Sequence, residues 1–420
     1  MKNISIVPAL IFAATLTVSA EDHPFHSFKK IQLTDQFWSE GASFGDFNHD
    51  GIMDVAAGPF WYEGPSFQKR HEYYPATNSF KLKRADGTEL TIPGYEGGLG
   101  TNNAYSHNFL MFTRDFNLDG WDDILVLGWP GEDSSWYENP KGKEGPWTRH
   151  VVLDVTDNES PTFADITGDG KPEIICSSKG SYGYAGPDWQ HPNEPWKFHA
   201  ISPNNKYQRY THGLGVGDVN GDGRLDLLEK DGWWEHPKSL DGDPVWTFHK
   251  FAFGTGGAQM FAYDVNGDGR NDVITSLDAH GYGLAWYENV DDGQGGITFR
   301  EHVIVNKEPK ENKYGVAFSQ LHAVALADVD GDGLMDIVTG KRFWAHGSAG
   351  DVEPNAPAVL YWFQLVRNQD KTVDFVPHLI DNNSGVGTQV TVGDLNGDKL
   401  PDIIVGNKKG VFVHLHARTN

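Results

Sequence analysis

Seven short stretches of the chain place oxygen-bearing side chains at positions 1, 3, 5 and 9, and six of them have Gly at position 6. The clearest copies are GDVNGDGRLD, YDVNGDGRND and ADVDGDGLMD. A tightly curled loop turns alternate side chains inward and Gly permits the sharp bend, so this spacing suits one hard cation, and we expect calcium. The predicted metal ligands are Asp46, Asn48, Asp50, Asp54, Asp115, Asn117, Asp119, Asp123, Asp165, Asp169, Glu173, Asp218, Asn220, Asp222, Asp226, Asp264, Asn266, Asp268, Asp272, Asp328, Asp330, Asp332, Asp336, Asp394, Asn396, Asp398 and Asp402.

Two of these loops depart from the pattern and are expected to bind weakly. The third has Thr167 and Glu173 at ligand positions, and the last has Lys399 in place of Gly. One such loop alone could be a solvated acidic turn. Seven loops with the same spacing, each followed by an apolar run, argue against that alternative. Because a cage built from one loop leaves little open coordination for a substrate, we expect up to seven structural calcium ions rather than catalytic ones.

A second set of residues lies six positions before the first Asp of each loop. These positions read Glu40, Phe109, Glu159, His212, Ala258, His322 and Thr388. If they begin equivalent strands around one axis, their side chains converge. The candidate catalytic residues are His212, His322 and Glu159 from this series, together with His107, which lies two residues before Phe109. Two His and a carboxylate could bind one Zn²⁺ or similar ion with a coordination site left open, or could act as acid and base. The alternative is that these groups only solvate a water-filled channel.

Neighbouring segments supply cations and flat aromatic side chains. In an otherwise acidic protein these suit a sugar that carries a carboxylate or other oxygen-rich groups, whereas the alternative is an ordinary solvated charge run. The candidate substrate-binding residues are Gln259, Gln389, Arg209, Tyr210, Lys341, Arg342, Trp344 and His346.

The elements that position these residues are short strands in repeating units. A strand leads into each loop, a second leads out, a third carries an aromatic signature such as SWYENP, and a fourth carries an aromatic and often a His, as in WTRHVV. Such units predict an all-β, seven-bladed β-propeller with the calcium loops between strands one and two of the blades. The N-terminal FHSFKKIQL reads as a fourth strand that closes the ring with the last blade, so residues 21–420 form one domain. The fourth-strand His residues are expected to pack, not to react.

The N-terminal segment, the net charge and the cysteine count limit the compartment and the classes of partner that the protein can have. Residues 1–20 read as a cleavable signal peptide, which predicts a secreted or periplasmic protein. The formal net charge of −24 argues against nucleic acid and against an anionic membrane surface. The single cysteine, Cys176, lies in an apolar strand and is expected to be buried and inert. We expect a monomer with a carbohydrate ligand.

The strand pairs VGDVNGDGRLDLL and ALADVDGDGLMDIV resemble the FG-GAP or VCBS repeat family, whose calcium-loaded propellers include the integrin α head. The resemblance covers residues 25 to 417 and implies the fold, while the family includes adhesion modules, carbohydrate-binding proteins and sugar lyases. The segment HGLGVGDVNGDGR at His212 is similar to the propeller of fungal aldos-2-ulose dehydratases, which are metal-dependent lyases.

Two functions follow as hypotheses. The first is a carbon–oxygen lyase, either a dehydratase or a polysaccharide lyase, acting on oxidised or acidic sugars at the mouth of the channel. The alternative is a non-catalytic carbohydrate- or protein-binding (adhesion) module that uses the same face.

Overall fold

The computed structural model of the chain describes residues 25–76, 79–83, 86–93 and 105–419. The predicted signal peptide, residues 1–20, lies outside the described residues. Apart from a helical turn α1 (Gly347–Gly350) and a 3₁₀ turn (Pro309–Glu311), the regular structure of these residues is β-strand. No helix within the described ranges is both long and apolar enough to cross a membrane.

The first half of the described chain forms fourteen strands. They are β1 (Phe25–Thr34), β2 (Ser43–Gly45), β3 (Asp54–Ala57), β4 (Phe60–Tyr62), β5 (Arg70–Glu72), β6 (Ser79–Lys83), β7 (Glu89–Pro93), β8 (Leu110–Arg114), β9 (Asp123–Leu127), β10 (Glu132–Glu138), β11 (Thr148–Ala164), β12 (Glu173–Ser178), β13 (Ser181–Gly186) and β14 (Lys197–Ala200). The pair β6–β7 forms a separate two-stranded sheet, and the other strands belong to larger antiparallel sheets.

The second half continues the same up-and-down order. Its strands are β15 (Leu214–Gly217), β16 (Asp226–Glu229), β17 (Gly232–Glu235), β18 (Thr247–Lys250), β19 (Gln259–Tyr263), β20 (Asp272–Ser276), β21 (Leu284–Asp291), β22 (Ile297–Val305), β23 (Val324–Ala327), β24 (Asp336–Gly340), β25 (Leu360–Arg367), β26 (Val373–Asp381), β27 (Val390–Gly393), β28 (Asp402–Asn407) and β29 (Gly410–Thr419). Consecutive strands form antiparallel groups of four: β2–β5, β15–β18, β19–β22 and β23–β26. The innermost strands of two neighbouring groups, β15 and β19, also pair with each other in parallel.

The strand β11 is 17 residues long because it serves two groups. Its first part pairs with β10 and ends the group β8–β11, while its second part pairs with β12 and begins the group β11–β14. Glu159 lies in that second part, on an innermost strand.

The N-terminal strand completes the last group, as the sequence predicts. β1 pairs antiparallel with β29 from Phe25 opposite Thr419 onwards, which gives the order β1–β29–β28–β27. The last group also meets the first: the backbone N–H of Thr388 donates to the carbonyl of Glu40 at 3.1 Å. The structure therefore confirms an all-β, propeller-like fold, while the count of seven blades and the closure of the ring stay predictions.

Aromatic side chains fill the space within and between the groups. The Trp286 ring stacks on His302, with ring centroids 4.2 Å apart and planes at 10°, and His302 Nε2 lies 2.8 Å from Glu288 Oε2. The same stacking on a third-strand aromatic ring is seen for His150, His199, His249 and His378. The packing role predicted for these fourth-strand His residues is thus confirmed, and Cys176 is buried as expected.

Candidate functional site

Each predicted cation loop lies between the first and second strands of its group and is held by its own carboxylates. In the first loop, Asp46 accepts the backbone N–H of Gly51 at 2.8 Å, and Asp50 accepts that of Ile52 at 2.9 Å. The same two hydrogen bonds recur in all seven loops: the backbone N–H at loop position 6 donates to the carboxylate at position 1, and the backbone N–H at position 7 donates to the carboxylate at position 5. They fix the side chains at positions 1 and 5 within the curl of the loop. In one loop, oxygens of Asp328, Asp330 and Asp332 lie within 4.8 Å of one another.

The ninth residue of six of the seven loops has a further role that the sequence analysis missed. Asp54 is fully buried and accepts two backbone N–H groups, from Phe47 at 3.0 Å and from Gly64, beyond the third strand, at 2.8 Å. The same double acceptance holds for Asp123, Asp226, Asp272, Asp336 and Asp402. This carboxylate therefore ties the loop to the third strand of its group.

Burial makes these ninth-position carboxylates hard to ionise in the protein alone. Burial, together with the neighbouring carboxylates, raises the pKa of Asp54 to about 7 and that of Asp123 to about 8, although the backbone donors oppose the shift. A cation in the loop would remove this cost, because it favours the charged form of each carboxylate around it.

Position 6 of every loop requires a left-handed backbone. Gly223 has φ of 83° and Gly333 has φ of 89°, and Lys399, in the same place in the last loop, has φ of 68°. A side chain is disfavoured in this conformation, so the last loop carries local strain at position 6, where the other loops have Gly.

At the start of the innermost strands the structure brings together three of the predicted residues. His322 Nε2 lies 3.1 Å from Glu159 Oε2, and His212 Nε2 lies 3.4 Å from the same oxygen. His280, which the sequence analysis missed, completes the cluster, since one ligand atom from each of Glu159, His212, His280 and His322 lies within 4.8 Å of the others. We call these four residues the mouth cluster.

Arg342 links the mouth cluster to the neighbouring carboxylate of Glu40. Its guanidinium Nε donates to Glu40 Oε2 at 3.1 Å, and its Nη1 lies 3.7 Å from Glu159 Oε2. Arg342 and Glu40 are each only 1% exposed, so this is a buried ion-pair network that fixes the Glu159 carboxylate.

The electrostatics of the mouth cluster favour an ionised Glu159 beside neutral His280 and His322. Burial by itself would raise the pKa of Glu159, but hydrogen bonding to His212 and His322 outweighs it and holds that pKa well below its usual range. Burial and the Arg342 charge lower the pKa of His280 to about 3 and hold the pKa of His322 well below its ordinary value. Neutral imidazoles and a carboxylate are the forms that bind a metal ion.

Gln320 joins the segments that carry the mouth cluster. Its backbone carbonyl accepts the N–H of His322 at 2.8 Å and of Arg342 at 2.9 Å, and its own N–H donates to Gly281 at 2.8 Å. Gln320 is fully buried and has φ of 65°, a strained backbone for a residue with a side chain. Its Oε1 lies 3.4 Å from His280 Nδ1.

Several predicted site residues lie elsewhere, which corrects the predicted constellation. His107 is exposed and its Nδ1 lies 2.9 Å from Glu132 Oε2, so it is not part of the mouth cluster. The amides of Gln259 and Gln389 bond to the backbone of neighbouring innermost strands, Gln259 to Val324 and Gln389 to Met111. These two amides are used to join strands rather than to face a ligand.

The remaining predicted residues differ in how far they are buried. Lys341 is buried, and its ammonium donates to Ser319 Oγ at 2.6 Å. The Trp344 carbonyl accepts the buried Lys408 ammonium at 2.8 Å, and the His346 ring lies 4.4 Å from that of His280. Arg209 and Tyr210 are exposed, with the guanidinium carbon 5.9 Å from the centre of the ring.

His280 could have been found from the sequence. It lies in the connection between the second and third strands of its group, in the segment DAHGYG. Propeller topology places such connections on the same face as the starts of the innermost strands, so listing the polar residues of those connections would have included it.

Comparisons with known proteins support the fold. Residues 115–176 and 264–339 match the FG-GAP-like repeat, and residues 386–412 match the FG-GAP repeat. No curated protein matches the chain.

Three solved structures are similar to the chain at low identity. A lectin of Agrocybe aegerita that recognises non-reducing terminal N-acetylglucosamine is 16% identical, with a TM-score of 0.42, and the match covers 82% of this chain and 93% of that chain. The rhamnogalacturonan lyase YesW is 14% identical, with a TM-score of 0.40 and coverage of 93% and 72%. BBS1N, solved in complex with ARL6DN, is 8% identical, with a TM-score of 0.47 and coverage of 95% and 98%.

These structural similarities are too distant to carry an argument about function. The repeats, in contrast, recur at several positions and coincide with the loops and strands described above. The chain carries FG-GAP and FG-GAP-like repeats within an all-β, propeller-like fold.

Proposed function

We propose that the mouth cluster is a metal centre at which the protein acts on carbohydrate. The observation that carries this proposal is the convergence of Glu159, His212, His280 and His322, whose ligand atoms lie within 4.8 Å of one another. One carboxylate and imidazoles are a ligand set suited to Zn²⁺ or a similar ion. Within the described residues, His322 Nδ1 is buried without a hydrogen-bond partner, which suits an atom that would face an ion.

The reaction that fits these residues is an elimination on an oxidised or acidic sugar. A base takes the proton next to a carbonyl or carboxylate, a carbon–carbon double bond forms, and the leaving oxygen departs with a proton from an acid. A bound ion of this kind would act as a Lewis acid that stabilises the negative charge on the sugar carbonyl or carboxylate.

The chain's own residues supply the proton transfer and the binding. The exposed His346 lies beside the cluster with its Nδ1 3.3 Å from Asp351 Oδ1, and this carboxylate orients the ring so that it can accept or return a proton. Arg342, whose Nη1 lies 3.7 Å from Glu159 Oε2, keeps that carboxylate in place. Exposed Arg209 offers a guanidinium for a carboxylate of the carbohydrate outside the cluster.

We also propose that calcium is a folding ligand of the seven loops. Each loop gathers carboxylates that repel one another when no cation is present, so binding energy becomes stability. The inward orientation of the residues at positions 1 and 5 supports this assignment. We further propose, from the predicted signal peptide, that the protein is secreted or periplasmic. We expect it to be a monomer.

An alternative proposal is a non-catalytic carbohydrate- or protein-binding module. The burial of the cluster favours it, because His322 is fully buried and the Glu40–Arg342 pair is 1% exposed. A centre closed to substrate would be structural, and binding would then use only the exposed aromatic and cationic residues around it.

Metal analysis with variants tests the main proposal. The purified protein should contain calcium plus about one zinc-like ion per chain. His212→Ala and His280→Ala should lose that ion and the formation of unsaturated product, measured by ultraviolet absorbance, while the melting temperature stays close to that of the wild type. The control is His191→Ala, an exposed His paired with Asp188, which should change neither. Calcium alone in the wild type, or full turnover in both variants, would contradict a catalytic metal centre.

A further inference from the structure

Aromatic rings lead outwards from the mouth cluster to the protein surface. The His346 ring, 4.4 Å from His280, lies 6.3 Å from the ring of Tyr105. Tyr105 in turn lies 4.1 Å from Trp129, and Trp129 lies 5.7 Å from Tyr210. The sequence analysis singled out neither Tyr105 nor Trp129, and none of the catalytic steps above uses them.

Trp129 is held firmly at the centre of this row. Its ring packs edge-on against the fully buried Phe109, with centroids 5.4 Å apart and planes at 83°. Most tryptophans of the described chain are buried, whereas Trp129 keeps part of its surface exposed, and Tyr210 beside it is 47% exposed. A rigid and partly exposed ring supplies contact area at a low entropy cost.

A guanidinium stands at the outer end of the row. The segment that carries Arg209 is fixed next to Glu159, because Asn158 donates its N–H to the Arg209 carbonyl and Glu159 donates to Thr211, both at 2.8 Å. The guanidinium itself lies against Gly131, where a Cβ would come within 2.6 Å of Nη1. The absence of a side chain at Gly131 therefore makes room for this cation beside the aromatic row.

We propose that Tyr105, Trp129 and Tyr210, with Arg209, form a second sugar subsite, so that the ligand is a carboxylate-bearing oligosaccharide rather than a single sugar. One unit lies at the mouth cluster and the next stacks the C–H face of its ring on Trp129. Arg209 then pairs with the carboxylate of that second unit, because a guanidinium binds a carboxylate through two parallel hydrogen bonds. This inference rests on the proposed action on carbohydrate and names the substrate class of the same site.

Binding measurements with matched sugars test the subsite. The probes are uronic-acid monosaccharides, their trisaccharides of the galacturonate, mannuronate and guluronate series, and the carboxyl-reduced trisaccharides. With wild-type protein, at least one acidic trisaccharide should bind about tenfold or more tighter than its monosaccharide by calorimetry, and should change the tryptophan fluorescence. Its carboxyl-reduced form should lose most of that advantage.

Variants test which residues give the protein its higher affinity for the trisaccharide. Trp129→Ala should abolish the preference for the trisaccharide and leave monosaccharide binding unchanged. Arg209→Gln should weaken the acidic trisaccharide about tenfold, and Arg209→Lys should restore part of the loss. Trp189→Ala is the matched control, because Trp189 is also partly exposed but contacts Arg114 and Lys171 instead. Circular dichroism and melting curves verify that each variant is folded.

The outcomes separate this inference from the proposed function. Wild-type protein that binds acidic monosaccharides with no gain from a longer chain overturns the second subsite alone. So does a chain-length preference that survives both Trp129→Ala and Arg209→Gln. Wild-type protein that binds none of the acidic sugars overturns the proposed function itself. His212→Ala, assayed in parallel, should lose turnover but keep the preference for the trisaccharide.

Discussion

His322 Nε2 lies 3.1 Å from Glu159 Oε2, although 163 residues separate the two along the chain. Each residue sits at or just before an innermost strand of a different four-stranded group. The contact is possible only because these strands converge on one axis, which brings side chains from distant groups to one point. Residues with no sequence proximity thus form the mouth cluster.

The ion pair behind this cluster should be important for stability. Arg342→Met would leave the buried carboxylates of Glu40 and Glu159 without a counter-charge, which costs about 3–5 kcal/mol. We expect a loss of this size in urea unfolding. The control Arg300→Met removes a 64% exposed partner of Glu288 and should cost less than about 1 kcal/mol. Equal losses in both variants would show that the burial of the Arg342 pair has no energetic consequence.

Replacing Lys399 with Gly should stabilise the protein. Lys399 has φ of 68°, where the equivalent loops have Gly, and a side chain in this conformation costs about 1–2 kcal/mol. Lys399→Gly should therefore raise the free energy of unfolding by about 1 kcal/mol in the same denaturation assay. Leu400→Gly, at the next residue, has no strain of this kind to relieve and should destabilise. A loss of stability in Lys399→Gly would contradict the strain argument.

Chelation should lower the melting temperature if calcium fills the loops. Once the cation is removed, the carboxylates at positions 1 and 5 repel one another and the buried carboxylate at position 9 is hard to ionise, so the folded state loses the binding free energy. Asp222→Ala should also destabilise more than Asp398→Ala, because Lys399 already weakens the last loop. Differential scanning calorimetry with and without excess chelator measures both effects. An unchanged melting curve would refute calcium as a folding ligand.

His414 should make the protein sensitive to acid. This side chain is fully buried, and burial lowers its pKa from 6.5 to about 4. Between these two values the unfolded chain binds a proton that the folded chain does not, so stability is lost as the pH falls from about 6.5 towards 4. The loss attributable to His414 is about 3 kcal/mol at most.

The variant His414→Leu isolates this effect from other acid-sensitive groups. Its free energy of unfolding should fall less than that of the wild type between pH 7 and pH 4.5, as measured by urea titration. The exposed His191→Leu should keep the wild-type slope. Parallel pH profiles for His414→Leu and the wild type would rule out His414 as the source.

The sequence predicts the repeating elements of this fold well because their signals are local. Seven loops of fixed spacing place the turns between strands, and the alternating apolar runs that follow them form the second strands. The pairing of β1 with β29 follows from a fourth strand without a preceding group at one end and a group without a fourth strand at the other. Each of these inferences uses only short-range pattern and the need to satisfy strand edges.

The candidate site is predicted only in part because its signals are not local. Counting back from the loops finds Glu159, His212 and His322, which share one position in the repeat. His280 lies in the connection between the second and third strands of its group, which is a different position in the repeat. Gln320 also lies outside the series, and it acts mainly through its backbone. Gln259 and Gln389 follow that position by one residue, and their amides satisfy backbone groups where neighbouring innermost strands do not pair fully. Only the packed structure shows that need.

The ladder between β1 and β29 also has a consequence for the order of folding. Its partners are about 390 residues apart, as the contact between His26 and His416 shows. During synthesis the N-terminal strand therefore has no partner until almost the whole chain has been made, and the last sheet forms late. In that interval the strand is an open edge on which another chain could pair. Lys29 and Lys30 lie in its centre, and repulsion between such charges protects the newly made chain from aggregation.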